Sequence, residues 1–208
     1  MKPRLFSRFI AATLTILAFA SVLYTSCTKP EPEEPTVDTQ CIDVNCNNGN
    51  CFRGQCACNI GWEGFYCDIK SVQKYLGQWS AVETVLISND TTNTSHVGDT
   101  NHYTFHIFPD GNSVTSFRLA GLMEYPGDTV KCYLGNPVDH FYEANRFYFE
   151  GTSLPNANVY LHRAGGSITT SGSVIDSLKY ERWYDGVNQF GDTIVLKETV
   201  SVAAQKAP

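Results

Sequence analysis

Cys56-Ala-Cys58-Asn-Ile-Gly-Trp-Glu-Gly-Phe-Tyr-Cys67 places three cysteines, two glycines and three aromatic residues within twelve positions. Three more cysteines precede it, so Cys41, Cys46, Cys51, Cys56, Cys58 and Cys67 follow one another with four, four, four, one and eight residues between them. A segment this short cannot bury enough apolar surface to fold unaided. Three disulfides, at roughly 2 to 4 kcal/mol each, supply what its core cannot. Spacing alone leaves fifteen pairings open. Structural zinc also uses closely spaced cysteine pairs. The Cys56-x-Cys58 pair, the neighbouring glycines and an export leader favour disulfides instead.

That leader opens the chain. Lys2, Arg4 and Arg8 precede an apolar run from Phe9 to Tyr24. The run is shorter than the roughly 20 apolar residues a membrane-spanning helix requires. It ends in Leu23-Tyr24-Thr25-Ser26-Cys27, a small residue ahead of a cysteine, as at an export cleavage site. This end resembles the lipobox of bacterial lipoproteins, with one departure, Tyr24, where a leucine is commoner. The resemblance implies that residues 1–26 are removed and that Cys27 is acylated, giving a membrane partner through an N-terminal lipid anchor. Each buried CH₂ of such chains contributes about 0.8 kcal/mol. Residues 27–40 then carry Thr28-Lys29-Pro-Glu-Pro-Glu-Glu-Pro35, whose alternating charges and prolines suit an extended tether. The tether is similar to the signal that sends some Gram-negative lipoproteins across the outer membrane to the cell surface. A plain linker that holds a domain off the bilayer is the other reading.

In the cysteine-rich stretch, Cys56, Cys58, Gly64 and Cys67, with the Gly61-Trp62 pair, resemble the C-terminal half of an EGF-like domain. Upstream, Cys46-Asn-Asn-Gly-Asn-Cys51-Phe-Arg-Gly-Gln-Cys56 resembles the short loops of tenascin-like modules. For residues 41–68 the resemblance implies the pairs Cys41–Cys51, Cys46–Cys56 and Cys58–Cys67. Gly49, Gly54, Gly61 and Gly64 would serve turns that need positive φ. Calcium is not expected. Gln40 stands ahead of the first cysteine, but the other acidic positions do not match, and calcium takes six or more oxygens.

From about Ser71 the texture changes to short Thr-, Val-, Tyr- and Phe-rich runs between Gly, Pro, Asn and Asp. This is a strand-and-turn pattern. Strands are expected near Trp79–Ile87, His102–Phe108, Ser113–Leu119, Thr129–Leu134, Arg146–Glu150, Val159–His162, Ser167–Val174, Ser177–Tyr184 and Asp192–Val200. Tyr103, Phe105 and Ile107 share one face against His102, Thr104 and His106. Trp79, Ala81, Val85 and Ile87 share another. Residues 71–208 are therefore expected to form an antiparallel barrel or sandwich, making the chain mainly β. Gly77 and Trp79, in Tyr75-Leu-Gly-Gln-Trp79, resemble the Gly-x-Trp opening of lipocalin-like barrels. In such a barrel Trp79 would plug one end; in a sandwich it would be an ordinary core residue.

The chain has a formal charge of -6, and loss of Lys2, Arg4 and Arg8 with the leader makes it three units more negative. An acidic chain without clustered Lys and Arg is a poor fit to nucleic acid. No nucleophile elbow, phosphate loop or His-Glu-x-x-His motif is present. No catalytic residue, metal site or cofactor is expected. His102 and His106 share a strand face but lack a third ligand. Cys132, within Val130-Lys-Cys-Tyr-Leu134, reads as a small packed hydrophobe. Asp90-Thr91-Thr92, Asp128-Thr129-Val130, Asp176-Ser177-Leu178 and Asp192-Thr193-Ile194 resemble the O-glycosylation site of exported proteins in one Gram-negative phylum. Two functions fit. One is a non-catalytic surface module for adhesion or complex assembly, with a protein or glycan ligand. The other is a lipocalin-like carrier of a small apolar molecule. An apolar cavity inside the barrel would favour the carrier, and a filled barrel with an exposed aromatic patch would favour the surface module.

Overall fold

A computed structural model of the chain describes residues 39–90, 96–136, 138–188 and 190–208. The expected leader, Cys27 and the tether as far as residue 38 lie outside the described residues. So do Thr91, Thr92 and Asn93.

The cysteine-rich segment is a small disulfide-bonded module. Strands β1 (Gly49–Phe52) and β2 (Gln55–Cys58) form an antiparallel hairpin with Cys51 opposite Cys56. Its two-residue turn is Arg53-Gly54, both at positive φ, which matches the twist of the paired strands. Disulfides join Cys41 to Cys51, Cys46 to Cys56 and Cys58 to Cys67. Strand β3 (Trp62–Glu63) pairs with β4 (Ile69–Lys70). Gly49 is not at positive φ, contrary to expectation, and opens strand β1 instead. A Cβ there would sit 2.5 Å from the Ala57 carbonyl oxygen and 2.8 Å from Cys67 Sγ, so close packing is what requires glycine.

Nine strands follow: β5 (Gly77–Ser88), β6 (Thr100–Pro109), β7 (Ser116–Ala120), β8 (Thr129–Leu134), β9 (Arg146–Phe149), β10 (Thr152–Leu154), β11 (Val159–Ser167), β12 (Val174–Val187) and β13 (Thr193–Lys206). Neighbours pair antiparallel in the order β10-β11-β12-β13-β5-β6-β7-β8-β9, and β9 also pairs with β11. The result is a closed eight-stranded antiparallel barrel, with β10 extending beside the first half of β11. Outward positions carry Gln78, His106, Arg118, Lys131, Lys179 and Glu181, all exposed.

Inward positions hold the apolar side chains. Trp79, Tyr75, Phe105, Phe117, Phe147 and Phe149 are each less than 2% exposed. Trp79 lies inside one end of the barrel, stacked with Phe105 at 6.4 Å, and its Nε1 donates to the Tyr75 carbonyl at 2.8 Å. Tyr75 stacks on Phe117 at 4.9 Å and meets Phe147 edge-on at 5.6 Å. This closed end is called the base here. It is also where the disulfide module joins. The Ser71 amide donates to the Gly61 carbonyl, and Gly61 lies against Val114 of the β6–β7 turn. Lys74 Nζ bridges Glu63 at 2.7 Å and Asn145 at 2.6 Å, joining module to barrel. Gln40–Pro208 form one compact unit.

Two expectations change in this domain. The strand expected at Val159–His162 runs on through Ala164-Gly-Gly166 to Ser167 as β11, whereas the one expected at Ser167–Val174 is instead the turn that joins β11 to β12. The glycines do not break β11. A Cβ on Gly166 would lie 2.6 Å from the Phe147 ring, so the bare backbone there makes room for an aromatic side chain. Ile87, expected inside with Val85, is 63% exposed. Thr199 pairs with Ile87 and Val200 with Val85, so β5 carries one extra residue, Leu86, and the bulge turns Ile87 outward.

Cys132 is fully buried, and burial pushes its thiol well above the ordinary range. Mass spectrometry of non-reduced protein should find Cys41, Cys46, Cys51, Cys56, Cys58 and Cys67 blocked. Cys132 should react with a thiol reagent only after denaturation; rapid labelling of the folded protein would contradict the buried placement.

Candidate functional site

The end of the barrel opposite the base contains charge. Glu83 on β5 and Glu198 on β13 are 3% and 2% exposed, at positions where alternation points side chains inward. Arg182 of β12 lies between them. Its Nη1 reaches Glu83 at 2.7 Å and its Nε reaches Glu198 at 2.6 Å. Glu83 also accepts from the hydroxyls of Tyr180 (2.5 Å) and Tyr103 (3.1 Å), and Glu198 accepts from Tyr184 at 2.9 Å. Burial and then Glu83 hold the Tyr103 phenol well above its ordinary range. For Tyr180, burial is followed by Tyr103 and Glu83. Burial and the bond to Glu198 push Tyr184 up to about 12. Burial opposes the charge on Arg182, but the two carboxylates outweigh it and raise its pKa.

Above this network is a shallow cup of about 320 Å³, lined among others by Met123, Tyr125, Val159, Arg182 and Tyr184. The segment on one side of the cup carries Met123 and Glu124 at φ of 55° and 70°, a strained conformation for non-glycine residues. Asp128, buried at its end, accepts from the Asn156 and Ala157 amides and so ties this segment to the turn after β10. The barrel interior thus has an aromatic base and a charged upper end.

The outer surface carries the second arrangement. On its β8–β9 side, Asp110 holds Lys131 at 2.7 Å, and Lys131 lies over the Tyr133 ring at 5.3 Å. Tyr133 stacks with Tyr148 at 5.6 Å, and His140 stacks on Tyr148 at 4.6 Å. On the β11–β13 side, His162 stacks on Trp183 at 4.8 Å, Tyr160 tilts against that indole at 5.9 Å, and Lys197 lies over it at 4.3 Å. A groove of about 440 Å³ is lined by His140 and Tyr148 from the first group and Tyr160 and His162 from the second, with Glu150 and Arg163. A smaller groove of about 270 Å³ is lined by Tyr160, Trp183, Asp185, Ser153 and Asn158. Both grooves share Tyr160. A third, of about 890 Å³, crosses the outside of β13, β5 and β6, where small side chains such as Ser80, Ala203 and Thr104 dominate.

Cys27 lies outside the described residues. The six remaining cysteines of the predicted site are brought together as three bonded pairs at the base, far in sequence from both arrangements above. His102 and His106 lie exposed on the outer face of β6. Among the described residues, no three His, Cys, Asp or Glu side chains converge as metal ligands. Of the O-glycosylation-like triplets, Thr129, Ser177 and Thr193 are exposed, whereas Asp128 is committed to its amide bonds. Sequence reading missed the Glu83–Arg182–Glu198 network. The signal was parity: Glu83 has the same phase as Trp79 and Ala81. It missed the aromatic surface because its rings come from strands and a loop far apart in the chain.

No family model matches this chain, and no curated protein matches it in sequence.

Two outcomes follow. Arg182→Met leaves two buried carboxylates without their cation and should destabilise the protein by about 3–5 kcal/mol in urea unfolding; an unchanged midpoint would show that the network is neutral. Lys131, Arg118 and Ser116 hold Asp110 at about 2, below its ordinary 3.8. A depressed carboxylate stabilises above its unfolded pKa, and that contribution is lost as pH falls from about 4 toward 2. Asp110→Asn should therefore flatten the melting temperature against pH across that window.

Proposed function

We propose that this chain is a lipid-anchored protein of the outer membrane, displayed at the cell surface. It acts as a non-catalytic module for binding, adhesion or complex assembly. The supporting observation is the combination of a filled barrel with an exposed aromatic surface. Rings from β9, β11, β12 and the loop before β9 stand around open grooves, while the inward positions are occupied by packed aromatics at the base and an ionic network above. A carrier of a small apolar molecule would need an apolar interior, and two buried carboxylates with an arginine oppose that. The anchor reading rests on the leader, the cysteine at position 27 and the proline-acidic tether. The three disulfides suit an EGF-like module, and the eight-stranded ring with Trp79 in its base suits a lipocalin-like barrel.

Replacing Cys27 with Ala should abolish acyl labelling and move the protein out of the membrane fraction; persistence of both would defeat the anchor. Cross-linked capture from intact cells should recover partners with the unaltered chain. A variant with Tyr148, Tyr160 and Trp183 changed to Ala should lose them while keeping its circular dichroism spectrum. Equal recovery by both proteins would remove the outer surface from consideration.

A further inference from the structure

Resting on the outer surface as the binding surface, we propose that the two grooves flanking Tyr160 hold a neutral glycan segment, with the Trp183 indole N–H donating to one of its oxygens. Trp183 Nε1 is buried and, among the described residues, has no hydrogen-bond acceptor. Such orphan donors are rare in folded proteins and call for a specific explanation. This one lies in a side chain that lines a groove, and the indole is held in place from both sides. His162 stacks on it at 8° between planes, and the Lys197 ammonium lies 4.3 Å from its centroid. Lys197 is exposed on a long side chain, so it can swing aside and open the indole face to a sugar ring without disturbing the barrel.

The surrounding chemistry fits a sugar. A pyranose ring presents apolar C–H faces, which rest on aromatic rings, and an equator of hydroxyls, which need donors and acceptors together. The larger groove supplies rings from His140, Tyr148, Tyr160 and His162, with Glu150 and Arg163 at their sides. The smaller supplies Trp183 and Tyr160 with Asp185, Ser153 and Asn158. A volume of about 440 Å³ falls within the range of small-ligand clefts. Because Tyr160 lines both grooves, a chain crossing that ring occupies the two at once.

Charge excludes the acidic glycans. Glu150, Glu181 and Asp185 stand among Arg163 and Lys197, so among the described residues the grooves offer no cationic cluster for sulfates or carboxylates, and the chain itself carries -6. A stable protein interface buries about 800 Å² on each side around a core more apolar than its rim. Here the groove walls are largely hydrogen-bonding groups, and the exposed aliphatic residues lining them, Val138 and Val195, belong to different grooves.

The full chain, purified in detergent, would be titrated with neutral hexasaccharides of glucose, mannose, galactose and N-acetylglucosamine in α and β linkage. Calorimetry and tryptophan fluorescence would report binding. At least one hexasaccharide should bind and shift the fluorescence, and a sulfated heparin hexasaccharide should not compete. Trp183→Phe keeps an aromatic ring, smaller than the indole, and removes the N–H. It should weaken binding at least fivefold while the melting temperature of the free protein stays level or rises, because an unmatched buried donor has gone. Tyr160→Ala should weaken binding more than tenfold. If no neutral hexasaccharide binds while the triple outer-surface variant still loses its cellular partners, the ligand is a protein: the glycan proposal fails and the surface reading survives. If a hexasaccharide binds equally to both single variants, the site is elsewhere and the proposal fails. If no hexasaccharide binds and the triple variant also keeps its partners, both readings fail.

Discussion

Four residue pairs, from Ala164–Phe149 to Ser167–Arg146, join β11 to β9 and turn an open sheet into a ring. An open sheet of this length would leave two rows of unpaired N–H and C=O groups, a template for association with other chains. Closure removes them except along the short outer edge of β10. It depends on the backbone of Gly166, because the Phe147 ring fills the space a side chain would take. It also depends on β11 changing partners along its length, β10 for its first half and β9 for its second, with an irregularity against β12 between Leu161 and Ala164. The outer surface follows from the same contact. Tyr148 belongs to β9 and Tyr160 and His162 to β11, and only closure of the ring places them around one groove.

The interior is divided in a way that decides what the barrel can hold. At the base, the hydrophobic effect gathers Trp79, Tyr75 and their aromatic neighbours, each contributing roughly 1.5–3 kcal/mol through burial. At the other end, two carboxylates persist inside because they share one guanidinium and each carboxylate oxygen has a donor, the tyrosine hydroxyls supplying the rest. Buried ion pairs add little net stability but are costly to break. They also make a poor lining for an apolar guest. The disulfide module closes the base from outside through Lys74, Glu63 and Asn145, so it forms part of the barrel's foundation.

Where the residues carry a local period, sequence reading followed the structure closely. Strand β8 begins and ends at the residues expected from its Thr-Val-Lys-Cys-Tyr-Leu pattern. Tyr103, Phe105 and Ile107 point inward, and His102, Thr104 and His106 outward, as alternation requires. The errors arose where a distant neighbour overrides the local period. Ile87 faces out because β13 is one residue shorter across the bulge. Gly165 and Gly166 read as a break because nothing local reveals that an aromatic ring from β9 occupies the space. Glu83 was passed over as an inward residue because its partners, Arg182 and Tyr180, are about a hundred positions away.

Sequence by itself determined the mainly β character, the crowding of six cysteines into a segment that cannot fold without cross-links, and the inward or outward phase of most strands. These are consequences of side-chain chemistry and of a two-residue period, both of which act between neighbours. Tertiary structure decided that the sheet closes into a barrel, that its upper interior is ionic, and that the module sits against its base. It also decided that the rings of Tyr148, His140, Tyr160, His162 and Trp183 share one face. Those outcomes depend on register and on contacts between residues far apart in the chain, and no local pattern encodes where a strand's other edge will find its partner.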